Sequence, residues 1–369
     1  MAPLDGILVA DFSRVLAGPL AAMLLGDLGA DVIKVERPDG GDDTRAWGPP
    51  WREGVSTYYL GLNRNKRSIA LDLTDAGDRE LARTLALRAD VLLESFRPGL
   101  MASWELDGDT IRRDNPGLVS CSVTAFGSRH AKLPGYDFLL QALGGLMAVT
   151  GEKDGPPLKA GTAVVDLVCG LLAANGIQGA LVERARTGIG RHVEVSLMDS
   201  ALTTLLNQGS AWVAAGVRPT RRGNRHPSIV PYEIYETADR PLAIAAANDR
   251  LFARLCEAVG LAELVHDPRF ATNEARVAHA DAFADALNAV LREQPAGHWV
   301  AKLQEASVPV GTVNEVDEAF ALAERLGLEP TDGHLIRPPL RIDGARPPIR
   351  HAPPGLDEHG DDLRAWLTQ

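Results

Sequence analysis

In the stretch GTAVVDLVCG, residues 161–170, Asp166 is a lone carboxylate among small and apolar side chains. Ala163, Val164 and Val165 before it, and Leu167, Val168, Leu171 and Leu172 after it, read as interior. A carboxylate in such company must be capped, paired or used. Two readings of Asp166 are compatible. As the N-cap of the apolar run that follows, it would accept the first amides of a helix. Held there by amide donors and the helix dipole, it would stay ionised, as a carboxylate nucleophile must. Cys169, three residues further on, reads as a buried inert thiol.

A second group is basic. Arg64, Lys66 and Arg67 in NRNKRSIALDL (63–73) lead into a strand and fit either a solvated loop or a phosphate contact. Arg37 closes a strand in IKVERP (33–38), and ligands of open α/β sheets bind at that carboxyl edge. Signatures of other chemistries are missing. The first strand runs into SRVLAGP rather than Gly-x-Gly-x-x-Gly, so Glu36 as a ribose-binding acid lacks its glycine fingerprint. Neither a Walker A sequence nor a Gly-x-Ser-x-Gly elbow occurs. His226, His266, His279 and His298 are scattered, and no metal is expected.

These residues need elements to hold them. The chain has 369 residues, room for two domains at ~150 residues each. A hydrophobic share of 45% and a charged share of 24% are those of an ordinary globular protein. The formal charge of −11 argues against nucleic acid or an acidic membrane as partner, though not against a small anion bound by a local basic cluster. Cys121, Cys169 and Cys256 have neither disulfide nor metal spacing, which points to reduced thiols in the cytoplasm. The N-terminal MAPLDGILVADFSR reads as a first strand rather than a signal peptide, and no stretch approaches ~18 consecutive apolar residues, so no membrane span is expected.

Strand-like and helix-like runs alternate: strands at 6–12, 31–37, 68–73, 90–96, 117–123 and 191–197, helices at 17–29, 77–89, 136–148, 166–186 and 198–215. Short apolar strands separated by helices predict an α/β fold with a parallel sheet covered on both faces. Residues 1–215 form the larger domain on this reading. The Arg-, Pro- and Gly-rich 216–232 is a linker or active-site loop, 233–325 a smaller α+β domain, and the proline-rich 326–369 returns to the larger domain.

Five blocks together, LVADFSRVLAGPLAAMLLGDLGADVIKVERP, NRNKRSIALDL, ESFRPG, GYDFLLQALGGLMAVTG and the long run from Gly161 to Leu202, resemble the family III CoA-transferases. The smaller domain's GNRHPSIVPYEIYETADRPLAIAAANDRLFARLC is similar to the same family, so the likeness covers nearly the whole chain. The resemblance implies a Rossmann-like larger domain, a smaller domain, and a homodimer of two interlocked chains. It implies acyl-CoA and a carboxylic acid as partners, with coenzyme A as part of the substrate and no tightly bound cofactor. Asp166 matches the family's catalytic aspartate. Coenzyme A contacts fall on Val15, Leu16 and Ala17, on Arg37, on Leu71, Asp72, Leu73 and Thr74, and on Ser95, Phe96 and Arg97. Gly223 and Asn224 match the loop over the acyl site, which here reads RRGNRHP rather than a glycine run. Ser103 stands where formyl-CoA transferase has a coenzyme-binding arginine.

The chemistry the resemblance implies runs from thioester to aspartyl anhydride to aspartyl-CoA thioester and back. It needs a dry pocket and amide donors for the oxyanions. The α-methylacyl-CoA racemases share the template but use a histidine ahead of an aspartate. In GYDFLLQ that place is held by Tyr136, and a phenol with a pKa near ~10 is a poor general base. Tyr136 suits a hydrogen bond to a substrate carboxylate instead. A non-catalytic acyl-CoA-binding protein is a further alternative, which the retained Asp166 opposes. Arg218, Arg221, Arg222 and Arg225 fit either a solvated linker or a partner for the free carboxylate of a dicarboxylate substrate.

Overall fold

The computed structural model describes residues 2–130 and 132–369. The chain divides into one unit of residues 1–147, 159–219 and 329–369 and another of 148–158 and 220–328. The larger unit is built on a six-stranded, all-parallel sheet: β1 (Leu8–Phe12), β2 (Asp31–Glu36), β3 (Lys66–Ala70), β4 (Val91–Glu94), β5 (Val119–Thr124) and β6 (His192–Ser196). Their order is β3-β2-β1-β4-β5-β6, so the winding reverses between β1 and β4. The loops that leave those two strands part there and open a crevice at the carboxyl edge, where doubly wound sheets take their ligands.

Alternation along each strand sends side chains to two layers. Val9, Val32, Val91, Leu93, Val119, Cys121 and Val123 pack against α1 (Ala17–Asp27) and α4 (Val164–Thr187). Ala10, Phe12, Ile33, Val35, Ile69 and Leu92 pack against α2 (Ala76–Arg88) and, from the tail, Leu363 and Leu367. α1 follows β1 after four residues, and Gly29 ends the turn beyond it at φ +108°, a backbone setting that favours glycine. The 24-residue α4 is long and apolar enough to cross a membrane, with a mean hydropathy of 1.6 over an 18-residue window, but half of that window is buried within the protein.

Several boundaries differ from the sequence reading. α4 begins at Val164, two residues before Asp166. The run at 136–148 breaks at Gly144 and Gly145 (φ +86°) into α3 (Asp137–Leu143) and a single turn, Leu146–Val149. The run at 198–215 breaks into α5 (Leu197–Thr204) and α6 (Leu206–Ala215), with Leu206 at φ +43°. β3 ends at Ala70, which leaves Leu71–Thr74 as the loop beyond it.

The basic segment is neither a solvated loop nor a phosphate site. Arg64 is buried and forks onto Asp27 of α1 at 2.9 and 2.5 Å, with Asn65 donating to the same carboxylate at 2.8 Å. Lys66 reaches the fully buried Asp11 at 3.1 Å and also donates to Asn63 and to the Pro19 carbonyl. Arg67 pairs with Asp31 at the start of β2. Each cation meets a carboxylate on a neighbouring element, a fact invisible to local charge counting.

The smaller unit has a three-stranded antiparallel sheet, β7 (Tyr232–Tyr235), β8 (Leu242–Ala245) and β9 (Val310–Thr312), with β8 in the middle. Helices Asp249–Val259, Ala280–Leu291 and Ala296–Glu305 close its core around Phe252, Phe270, Phe283 and Trp299. Buried Arg276 donates to the Val230 and Phe270 carbonyls and to Asp249, and its guanidinium lies 4.3 Å from the centre of the Phe252 ring.

Asp27→Ala strands the buried Arg64 charge. Its expected cost is about 3–5 kcal/mol in denaturant unfolding. A loss under 1 kcal/mol would show that the pair is not a structural anchor.

Candidate active site

The turn after β1 and the start of α4 meet at the reversal of the sheet. Ser13 and Gly18 nearly touch, since a Cβ on Gly18 would lie 2.3 Å from the Ser13 Cβ. α1 then starts at Ala17 without a side-chain cap. α1 and α4 pack through small residues. A Cβ on Gly170 would come within 2.7 Å of the Ala17 carbonyl, so only glycine admits this approach. The uncapped start of α1 thereby borders a cavity of about 340 Å³ that also holds Asp166. Val15, Leu16, Ala17, Ser95, Phe96, Arg97 and Tyr136 line the same cavity.

A second cavity, of about 170 Å³, adjoins it and is lined by Arg37, Leu71, Asp72, Leu73, Thr74 and Phe96 among others. Arg14 and Phe96 line both, with the guanidinium 5.1 Å from the ring centre. The loop from the first half of the sheet is tied to the loop from the second by the Arg14 amide, which donates to the Ser95 hydroxyl at 2.9 Å. Arg37 is half exposed and paired with Asp43 at 2.7 Å. Ser103 turns its hydroxyl onto the Leu100 carbonyl and lines neither cavity. Gly223 and Asn224 lie in the smaller unit, where the Gly223 amide donates to the Gly151 carbonyl at 3.0 Å and Gly223 sits at φ +61°.

Asp166 is not the cap of α4. The N-cap is Ala163, and the job falls to Asp137 at the start of α3, whose Oδ1 accepts from the Val165 amide at 2.8 Å and the Asp166 amide at 3.2 Å. The other oxygen of Asp137 accepts from Gln141 at 2.6 Å, and Gln141 is bound in turn to the Ala160 amide. The expectation that amides hold Asp166 ionised therefore fails. With only 9% exposure, burial pushes its carboxyl up, and the Asp137 charge adds to this, to about 7. A carboxylate with its pKa raised this far is more basic than an ordinary one and takes up a proton much closer to neutral pH. Burial pushes the nearby Cys169 thiol up to about 12, so it stays protonated and inert.

Sequence reasoning passed over three groups here. Asp137 left a signal, an acid at the start of an apolar helix, but only its neighbour Tyr136 was singled out. The Lys34–Asp42 pair left a fainter one, a lysine inside the apolar strand DVIKVE. Tyr58 left none. Its ring stacks edge-on with Trp47 at 5.3 Å, and burial, with the charges of Asp166, Asp137 and Asp42, raises its phenol to about 12. It stays protonated within electrostatic reach of these three carboxylates. Among the described residues no group of three or more His, Cys, Asp or Glu is placed to hold a metal.

Asp137→Asn retains a cap oxygen but removes the charge. The Asp166 carboxyl, followed by carbon NMR on selectively labelled protein, is expected to titrate near 7 in the wild type and at lower pH in this variant. An unchanged midpoint would show that burial alone sets it.

Three comparisons bear on this site. The sequence profile described as CoA-transferase family III matches residues 4–360. A succinate–glutarate CoA-transferase of Agrobacterium fabrum is 40% identical over 99% of this chain and 96% of its own length. An acetyl-CoA:oxalate CoA-transferase of Acetobacter aceti is 41% identical over 98% and 95%. The crystal structure of a CaiB/BaiF family protein from Brucella suis superposes with a TM-score of 0.87 at 41% identity, covering 99% of both chains. With a profile match over nearly its whole length and relatives this similar, the chain belongs to CoA-transferase family III.

Proposed function

We propose that this enzyme moves coenzyme A from an acyl-CoA to a short dicarboxylic acid through covalent intermediates on Asp166. The observation that carries the reading is a buried carboxylate of raised basicity beside the uncapped start of a helix, lining a cavity large enough for an acyl group. In the first step an Asp166 oxygen attacks the thioester carbonyl, the carbon–sulfur bond breaks, and coenzyme A leaves as thiolate. The thiolate then attacks the aspartyl carbonyl of the anhydride and releases the first acid as its carboxylate, which leaves an aspartyl-CoA thioester. The second acid repeats the cycle in reverse and regenerates free Asp166. Each step exchanges one activated acyl bond for another.

The chain's contribution is positional. The Ala17 and Gly18 amides, unspent within α1, suit the oxyanion of each tetrahedral species. The smaller cavity, with Arg37 at its rim and Leu71–Thr74 along one side, suits the nucleotide end of coenzyme A, while Ser95, Phe96 and Arg97 flank the way to Asp166. Tyr136, 65% exposed and lining the larger cavity, is assigned to the substrate carboxylate. A dicarboxylate is supported by the names of the relatives, which act on succinate and glutarate or on oxalate. Of the four loop arginines, Arg225 is already paired with Glu233 at 3.0 Å and Asp281 at 2.6 Å. Arg218, Arg221 and Arg222, without an ion pair among the described residues, are the remaining candidates for the distal carboxylate, although Arg221 donates to the Gly155 carbonyl.

A second copy of the chain is the assigned partner. Leu167 and Leu171 on α4, and Trp212 and Val213 on α6, are 40%, 48%, 58% and 84% exposed, apolar surface that an interlocked homodimer would cover. The three cysteines are free and buried, in keeping with the cytoplasm.

The test uses succinyl-, oxalyl- and acetyl-CoA without acceptor, trapped with hydroxylamine and mapped by mass spectrometry. An adduct on Asp166, absent in Asp166→Ala, is expected. Loss of acceptor-dependent transfer by at least about 10³-fold in that variant should accompany it. Exchange of the α-proton of a 2-methylacyl-CoA without any adduct would replace the proposal by racemase chemistry.

A further inference from the structure

Beyond Asp166, the turn Ser13–Gly18 is held in an unusual way. Val15, a β-branched residue, sits at φ +71°, in the left-handed region that such side chains avoid. Among the described residues, no hydrogen bond joins one backbone group of the turn to another. Its backbone groups are instead tied, one by one, to side chains from elsewhere. The Ser13 amide donates to Asp11 at 3.0 Å. The Ser13 carbonyl accepts from Lys34 Nζ at 3.0 Å. The Arg14 amide donates to Ser95 Oγ. The Val15 amide is shared between the two Asp42 oxygens at 3.3 and 3.4 Å. Asp42 is itself clamped: its Oδ2 receives Lys34 Nζ at 2.9 Å, and its Oδ1 receives the Thr44 amide at 3.0 Å and hydroxyl at 2.8 Å. The side chains of Lys34 and Asp42 are both wholly buried. The next residues of the turn, Leu16, Ala17 and Gly18, line the cavity that contains Asp166.

We propose that Asp42 is a positioning residue for catalysis: with Lys34 it holds Val15 in its strained conformation and so aims the following amides at the acyl group on Asp166. A buried ion pair needs a reason, because its desolvation offsets most of its attraction. Here one Asp42 oxygen takes the cation, the other takes the Thr44 amide and hydroxyl, and the two share the Val15 amide, which is what a clamp on a turn requires. The strain at Val15 is stored in the resting enzyme, so the oxyanion donors need no rearrangement when the tetrahedral species forms. Asp42 itself acts through Val15 and makes no contact with the reacting atoms. The inference rests on the assignment of the Ala17 and Gly18 amides to the acyl group.

The test is a cycle of Asp42→Asn and Val15→Gly, read as kcat, KM for acyl-CoA and thermal unfolding. Asp42→Asn is expected to lower kcat about 10- to 100-fold, with KM changed less than about threefold. Adding Val15→Gly should recover at least about fivefold of that loss, because glycine holds a positive φ without strain and needs no clamp. A merely structural Asp42 would give loss of folded protein and no recovery from the glycine. Should Asp42→Asn fail to fold, Lys34→Met with Asp42→Leu removes both charges together, and Val15→Gly is added to that pair. A folded Asp42 variant with kcat within twofold of the wild type overturns the proposal, as does a glycine that recovers nothing. The Asp166 adduct is followed in the same proteins. Its absence in the wild type would sink the covalent mechanism, whereas its presence with an unchanged rate in Asp42→Asn would sink only the positioning role.

Discussion

The backbone approach of α1 to α4 is the constraint on which the site depends. At Gly170 the two helices come close enough that a single methyl group would strike the Ala17 carbonyl. Ala21, Ala22, Ala173 and Ala174 continue the small-residue seam away from the cavity. Small side chains here contribute little burial each; their value is that they let one helix start against the first turn of the other. The Asp166 carboxylate and the uncapped start of α1 then border one cavity, carried by elements more than a hundred residues apart.

The same crowding explains the chemistry of Asp166. A carboxylate on the first turn of a helix is normally stabilised as an anion. In this protein Asp137 takes the first amides, so Asp166 has burial and a neighbouring negative charge instead. The two acids are used differently: Asp137 is spent on the backbone, and Asp166 is left with a raised basicity. Tyr58 lies in the same electrostatic field and is kept protonated by it and by burial.

Much of the sheet's edge is organised by buried charge. Asp11 and Lys34 face each other across β1 and β2. Burial alone would push both Asp11 and Asp42 up. The lysine charges and local hydrogen bonds outweigh it, holding Asp11 below the usual carboxylate range and Asp42 at about 2. Lys66, which burial lowers to about 8, completes the set and also grips the Pro19 carbonyl in the first turn of α1. The loop at the reversal of the sheet is thus fastened by three charges on strands and one just beyond, rather than by the glycine fingerprint of dinucleotide-binding folds.

The alternation of short apolar strands with helices, read along the chain, was enough to establish a parallel α/β sheet, since hydrophobic period is a local property. The motif blocks were enough to place the family, and Asp166 stood out because a charge in an apolar run is locally anomalous. What local pattern could not decide was partnership. Arg64, Lys66 and Arg67 read as a basic patch because their acids, Asp27, Asp11 and Asp31, lie 36 to 55 residues away in sequence. Asp166 read as a cap because Asp137, 29 residues earlier, was not known to be beside it. Charge state, capping and backbone strain depend on what is near in space. The sequence by itself determined the fold class and drew attention to Asp166; only the tertiary structure decided which groups surround that carboxylate, and hence its basicity.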